Sequence, residues 1–136
     1  MLPKSEVWDR VMAFASLLAN EDQPERYRTH CNALAGYCEE QSAAGYDHPF
    51  LWESLADFTI DDSAAIPLYL RALDATGDGE EARPYRASIK FALAERHKNL
   101  DMEDQAREYA IAADDEARYL DDLDLRRRIS RFLLSE

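Results

Sequence analysis

Apolar residues recur along the chain at the three- and four-residue spacing of an α-helix rather than in the alternation of a half-buried strand. Seven such stretches occur, within residues 7–18, 27–38, 50–58, 66–73, 85–93, 102–113 and 125–133. Acidic residues near Pro, Ser or Glu precede several of them, as is typical of helix starts, at Asp22, Asp47, Asp61, Asp78 and Asp121. The pattern therefore predicts seven helices.

Composition favours the same fold. Ala occurs 21 times, whereas Val, Ile and Thr together number ten, so residues that suit strands are scarce. Connections of about two to six residues between the helices predict antiparallel neighbours. We therefore expect residues 1–136 to form one all-α domain of helical hairpins, in which 1–45 form an N-terminal helix pair.

Two predicted helices share a spacing of four and three, at Ala65, Tyr69 and Ala72 and at Ala106, Ala110 and Ala113. The small residues let two helices approach closely, and the large Tyr69 fills the gap between them. Leu93, Ala94 and His97 precede the second set, where the first helix of a hairpin would lie. This pattern resembles the tetratricopeptide repeat, with 87–120 as the better match and 52–73 as a degenerate unit. The resemblance implies a TPR-like stack of hairpins over residues 46–136.

The chain departs from that repeat in three ways, one of which is that no Pro closes either unit. The alanine sets begin 41 positions apart, at 65 and 106, whereas the repeat has about 34 residues. Lys90 also stands where the repeat has an aromatic residue. The alternative prediction is an irregular helical bundle.

In such repeats the first helix of each hairpin lines a concave groove. Carrying that face onto the fifth predicted helix selects Ser88, Phe91, Glu95, Lys98 and Asn99 as partner-binding residues. Phe91 lies off the apolar stripe of its helix, which indicates either an anchor for a partner or an aromatic covered by a neighbouring helix.

Charge adds a second candidate surface. The 136 residues include 16 Lys and Arg against 28 Asp and Glu, and the net charge is -12. This acidity makes a nucleic-acid surface improbable and favours a basic protein partner, because phosphate binding needs concentrated Lys and Arg. Residues 46–79 hold seven acidic residues against Arg71 alone. We predict partner binding there at Asp57, Asp61, Asp62, Asp74 and Asp78.

The C-terminal region is the less informative charge cluster. Six acidic residues between 114 and 124 are followed by four arginines between 126 and 131. Carboxylates favour a helix N-terminus, and arginines favour its C-terminal half. This cluster therefore has two interpretations. Its charges either stabilise a helix through the helix dipole, or they form a face that docks a basic partner.

No cofactor or metal site is predicted. Residues 74–80 alternate oxygen ligands before a glycine, as a calcium loop does, but Tyr85 falls where the bidentate carboxylate belongs. We therefore expect a glycine-terminated turn. His30, His48 and His97 occur in no metal-binding spacing, and no nucleophile motif is present.

The remaining signals concern location. Cys31 and Cys38 are seven residues apart, about 10.5 Å along a helix, which is beyond disulfide reach and predicts thiols in a reducing compartment. The apolar run 11–19 follows Glu6 and Asp9, so we interpret it as a core helix rather than a signal peptide. No run is long enough to span a bilayer. We expect a cytoplasmic protein without membrane contact.

These features favour a non-enzymatic protein-binding module with an acidic surface. Small size and acidity suggest an immunity or antitoxin-type inhibitor that docks a basic toxin. One alternative is an adaptor or secretion chaperone that binds a peptide in a TPR-like groove. Alternatives of other classes are a small helical enzyme that uses carboxylates and a homo-oligomeric scaffold.

Overall fold

The computed structural model describes residues 1–135, and these form an all-α fold, as the sequence predicts. Its seven α-helices are α1 (Ser5–Ala19), α2 (Pro24–Ala43), α3 (Pro49–Asp57), α4 (Asp62–Asp74), α5 (Arg83–Asn99), α6 (Glu103–Ala117) and α7 (Leu123–Leu134). A short 3-10 turn, Glu80–Ala82, precedes α5. The apolar stripes therefore predict each helix.

Local chemistry explains several helix ends. Pro24, Pro49 and Pro84 lie in the first turns of α2, α3 and α5. Backbone N–H groups in a first turn have no acceptor within the helix, so a proline there costs no helical hydrogen bond. After α4, Gly77 adopts a φ of 62°, a left-handed conformation that glycine tolerates. The expected glycine-terminated turn at 74–80 is thus present, and Arg86 donates hydrogen bonds to the carbonyls of Gly77 and Gly79.

Successive helices pack against each other, and side-chain contacts show that neighbours run antiparallel. Tyr27 near the start of α2 donates to the carbonyl of Phe58 after α3. Arg96 near the end of α5 pairs with Asp62 at the start of α4. Among the odd-numbered helices, α3 also contacts both α1 and α5. Even-numbered helices therefore begin at one edge of the molecule, where α3 and α5 end.

The main core lies among α1 to α5 and is centred on Trp52, which is buried. The side of α4 that faces this core differs from the apolar stripe predicted within residues 66–73. Ala65, Tyr69 and Ala72 are buried, whereas Leu70 is 39% exposed. The small residues therefore face the core, since α3 and α5 both lie against that side of α4.

A smaller core holds α7 against α5 and α6. It contains buried Ala, Leu, Ile and Phe side chains at Ala87, Phe91, Ala113, Ala117, Leu125 and Ile129. The ring of Phe132 packs edge-on to that of Phe91, with centroids 5.7 Å apart. Docking of α7 thus buries Phe91, as the covered-aromatic interpretation predicts.

A charged cluster joins α5 to α6. The carboxylate of Glu116 contacts Arg83, Arg86 and Lys90 at 2.9, 2.6 and 3.0 Å. Lys90 therefore has an electrostatic role here. Because Arg86 and Glu116 are both buried, the cluster satisfies charges that would otherwise be costly to desolvate.

Both cysteines are unpaired, with Cys31 partly buried and Cys38 buried. The carbonyl of Leu51 lies 3.4 Å from the Cys38 sulfur, and burial raises the pKa of this thiol to about 12. Cys38 is therefore a protonated core residue at neutral pH. Within residues 1–135, no helix combines the length and apolarity that crossing a membrane requires.

Candidate functional site

The odd-numbered helices share one surface of the molecule. The ring of Trp8 on α1 stacks on that of Phe50 on α3, with centroids 4.9 Å apart. Ser88 on α5 donates to the carboxylate of Glu53 on α3 at 2.6 Å. We call this surface the odd-helix face and define it by Trp8, Phe50, Glu53, Asp57, Ser88 and Glu95.

The sequence of α3 explains how this face forms. Leu51, Trp52, Leu55 and Ala56 are buried and hold one side of the helix in the core. Phe50, Glu53 and Asp57 follow the spacing i, i+3 and i+7, which places them together on the opposite side. Burial of one side of α3 therefore presents an aromatic ring and two carboxylates on the other.

Glu53 carries the strongest electrostatic perturbation of this face. Burial is the main cause that raises the pKa of its carboxyl to about 7; the hydrogen bond from Ser88 opposes this rise, and the negative charge of Asp57 adds to it. Near neutral pH, Glu53 therefore exists in both protonated and ionised forms.

A second carboxylate, Asp57, lies near Glu53, and a third, Glu95, lies near Asp57. Burial raises the pKa of Asp57, although the hydrogen bond from the Tyr69 hydroxyl and the charge of Arg96 lower it. Burial likewise raises the pKa of Glu95, against the influence of Arg128 and Arg96, and the charge of Asp57 adds to the rise. Asp57 thus couples the carboxylates of α3 and α5.

Within residues 1–135, none of these three carboxylates is in an ion pair. Partly desolvated carboxylates outside any ion pair are unfavourable, although the charges of Arg96 and Arg128 act on Asp57 and Glu95 from a greater distance. A cationic group placed among the three carboxylates would relieve that cost. The arrangement can therefore bind a Lys or Arg side chain. A carboxyl group with a pKa near 7 can also exchange protons at neutral pH.

Trp8 adds an apolar contact to this face. Its side chain is 46% exposed although it stacks on Phe50. Met12, one helical turn further along α1, is 44% exposed. An accessible tryptophan supplies a large contact area, and Trp is enriched among residues that dominate binding energy.

The five acidic residues predicted from charge do not form one patch. Asp57 lies on the odd-helix face, and Asp61 and Asp62 begin α4. Asp74 ends α4, and Asp78 lies in the turn beyond it. The 13-residue helix separates the two groups by about 18 Å of rise. Asp62 also pairs with Arg96, so part of this charge is structural.

The α5 residues predicted from the groove are divided as well. Ser88 and Glu95 lie on the odd-helix face, whereas Asn99 donates to Asp62 and Lys98 contacts Ser135. Phe91 is 4% exposed beneath Phe132 of α7. The prediction that Phe91 is an exposed anchor for a partner is therefore wrong, because its ring is buried in the smaller core.

Sequence reasoning missed Trp8 and Phe50, and it counted Glu53 only as part of the regional charge. The spacing of Phe50, Glu53 and Asp57 on α3 is the signal that could have found the α3 residues. No pattern indicated that α1 would place Trp8 beside Phe50, since that contact depends on how α1 packs across α3.

The described residues contain no group of three or more side chains placed to hold a metal ion. Comparison of the chain with protein-family models, curated proteins and solved structures finds no match in any of the three. The resemblance to the tetratricopeptide repeat therefore stays a prediction, and the function rests on the geometry of the site.

Proposed function

We propose that this protein is a non-enzymatic binding module whose odd-helix face docks a basic protein, in the manner of an immunity or antitoxin-type inhibitor. The observation that carries this proposal is that Asp57 lies near both Glu53 and Glu95, that none of the three is in an ion pair within residues 1–135, and that an exposed Trp8 stacks on Phe50 of the same face. A partner's Lys or Arg would neutralise the carboxylates while an apolar group covers the tryptophan.

The net charge supports the same partner. At -12 the protein repels acidic surfaces and attracts basic ones, so association with a basic partner should be fast at low ionic strength. A peptide groove on the outer side of α5 has less support, because α7 covers Phe91 there. Docking on α1, α3 and α5 is therefore the better-supported mode.

The test is affinity capture from cells that produce the protein, at low and at moderate salt. We expect capture of a basic protein whose recovery falls steeply as salt rises. The double variant E53Q/D57N should lose most of the captured partner. The double variant E103Q/E108Q converts two exposed carboxylates of α6 to amides and serves as the control, since it removes at least as much negative charge.

Loss of binding must be separated from loss of folding. Removing uncompensated carboxylates should preserve or raise thermal stability, so reduced capture by E53Q/D57N cannot then result from unfolding. Capture that is insensitive to salt, or equal weakening by both double variants, would reject docking at the odd-helix face.

A further inference from the structure

A second surface lies away from the odd-helix face, where α2 begins and α3 joins α4. It is a groove of about 820 Å³ with apolar walls provided chiefly by Pro24, Tyr27, Cys31, Phe58 and Ile60. This volume falls within the range typical of binding sites, roughly 300–1,000 Å³. We call it the Tyr27–Ile60 groove.

The groove has a fixed floor. The hydroxyl of Tyr27 donates to the carbonyl of Phe58 and ties α2 to the segment after α3. Arg96 donates to the carbonyls of Ala56 and Ile60 at 3.2 Å each, and it pairs with Asp62. The backbone that carries Ile60 is therefore held at both ends of the connection by one guanidinium group.

Ile60 itself is 78% exposed on this fixed connection. An apolar side chain that contributes so little to the core gains stabilisation only when another surface covers it. Because its backbone is already ordered, covering it requires little further loss of chain entropy.

The rim of the groove is acidic. It is lined by three acidic residues, Glu21, Asp22 and Asp61, and Arg28 is the only Lys or Arg among the lining residues. Asp61 precedes α4 without its side chain accepting a capping hydrogen bond, so its carboxylate is not used by the helix start. The rim therefore suits a segment that brings positive charge beside an apolar group.

We propose that the Tyr27–Ile60 groove binds a segment of a partner protein that places a large apolar side chain over Ile60, next to a Lys or Arg that faces the acidic rim. The apolar walls set the first requirement and the rim charge sets the second. This site is independent of the odd-helix face, and it stands if docking at that face is rejected.

The test is an NMR titration of the ¹⁵N-labelled protein with the capped peptide Gly-Lys-Leu-Arg-Leu-Gly. We expect amide shifts at Tyr27, Thr59 and Ile60. A peptide with Ser in place of both Leu should bind at least about tenfold more weakly, because it lacks the apolar side chains. A peptide with Glu in place of Lys and Arg should also bind at least about tenfold more weakly, because the acidic rim repels it.

Matched variants locate the site. Ile60→Ser should weaken the Leu-containing peptide about tenfold, since it removes the exposed apolar side chain. Ile111→Ser makes the same change at an isoleucine of α6 that is 45% exposed, and it should leave binding unaltered. Both residues are exposed, so both variants should keep the melting temperature of the parent protein.

Three results would overturn the proposal. Shifts confined to Trp8 and Glu53 would place the peptide on the odd-helix face instead. Equal binding of the Glu-containing peptide would remove the role of the rim. Concentration-dependent shifts at Ile60 without peptide would identify a second copy of this chain as the occupant.

Discussion

Glu53 carries a cost in folding that the proposed docking of a basic partner would offset. Its carboxyl is partly buried beside Asp57 and accepts a hydrogen bond from Ser88, yet it forms no ion pair within residues 1–135. A side chain selected only for stability at this position would be neutral. Under the proposed function, Glu53 therefore exchanges stability for an ability to accept a cation.

The first prediction concerns Glu53→Gln. The folded pKa, about 7, lies above the unfolded value of 4.5, so the stabilisation by the protonated form is complete below 4.5 and is lost as pH rises through 7. Gln keeps an acceptor for Ser88 and does not titrate. The variant should therefore gain free energy of unfolding over the parent as pH rises, by up to about 3 kcal/mol.

Urea denaturation of both proteins between pH 4 and pH 8 measures this difference, with Glu103→Gln as a control at an exposed site. The gain should be small at the acidic limit and constant above neutrality. A difference between the two proteins that does not change with pH would show that Glu53 has an ordinary pKa.

At the scale of single elements, α4 carries a conflict between its sequence and its helical structure. Pro67 lies inside the helix, where it cannot donate to the carbonyl of Ser63, and it is exposed rather than packed. The helix persists because Ala65, Tyr69 and Ala72 are buried against its neighbours. Tertiary packing thus overrides a strong local preference.

The second prediction follows from this conflict. Pro67→Ala should restore one helical hydrogen bond and raise the free energy of unfolding by about 1–3 kcal/mol, measured by chemical denaturation. Pro84→Ala is the matched control, because Pro84 lies in the first turn of α5 and its N–H would make no helical bond. An equal effect of the two substitutions would contradict this explanation.

At the scale of the whole molecule, much of the acidity lies where helix dipoles do not favour it. Asp74 is the last residue of α4, and Asp78 follows it without an ion pair in the described part of the chain. Negative charge is unfavourable at a helix C-terminus. By contrast, Asp61 and Asp62 lie at the start of α4, where the dipole favours them.

The third prediction is therefore that moderate salt stabilises the protein. Screening should reduce repulsion among the unpaired carboxylates of a chain with a net charge of -12, so the melting temperature should rise by a few degrees with added NaCl at pH 7. The double variant D74N/D78N should show a smaller rise. A melting temperature that falls with salt would mean that the ion pairs outweigh the repulsion.

Much of the fold was predictable because helix formation is largely a local property. The apolar spacing identified all seven helices, and Gly77 marked the turn after α4. The candidate site was less predictable. Charge selected Asp57, and the groove face selected Ser88 and Glu95. Neither pattern could show that Glu95 lies near Asp57 or that Ser88 donates to Glu53.

The sequence by itself determined the all-α class, the helices and the acidity, since these follow from spacing and composition. Only the tertiary structure decided which charges are compensated, as Asp62 is by Arg96 and Glu53 is not. It also decided that α7 buries Phe91 while Trp8 stays accessible. The reason is physical, because pairing and exposure depend on contacts between residues that lie far apart along the chain.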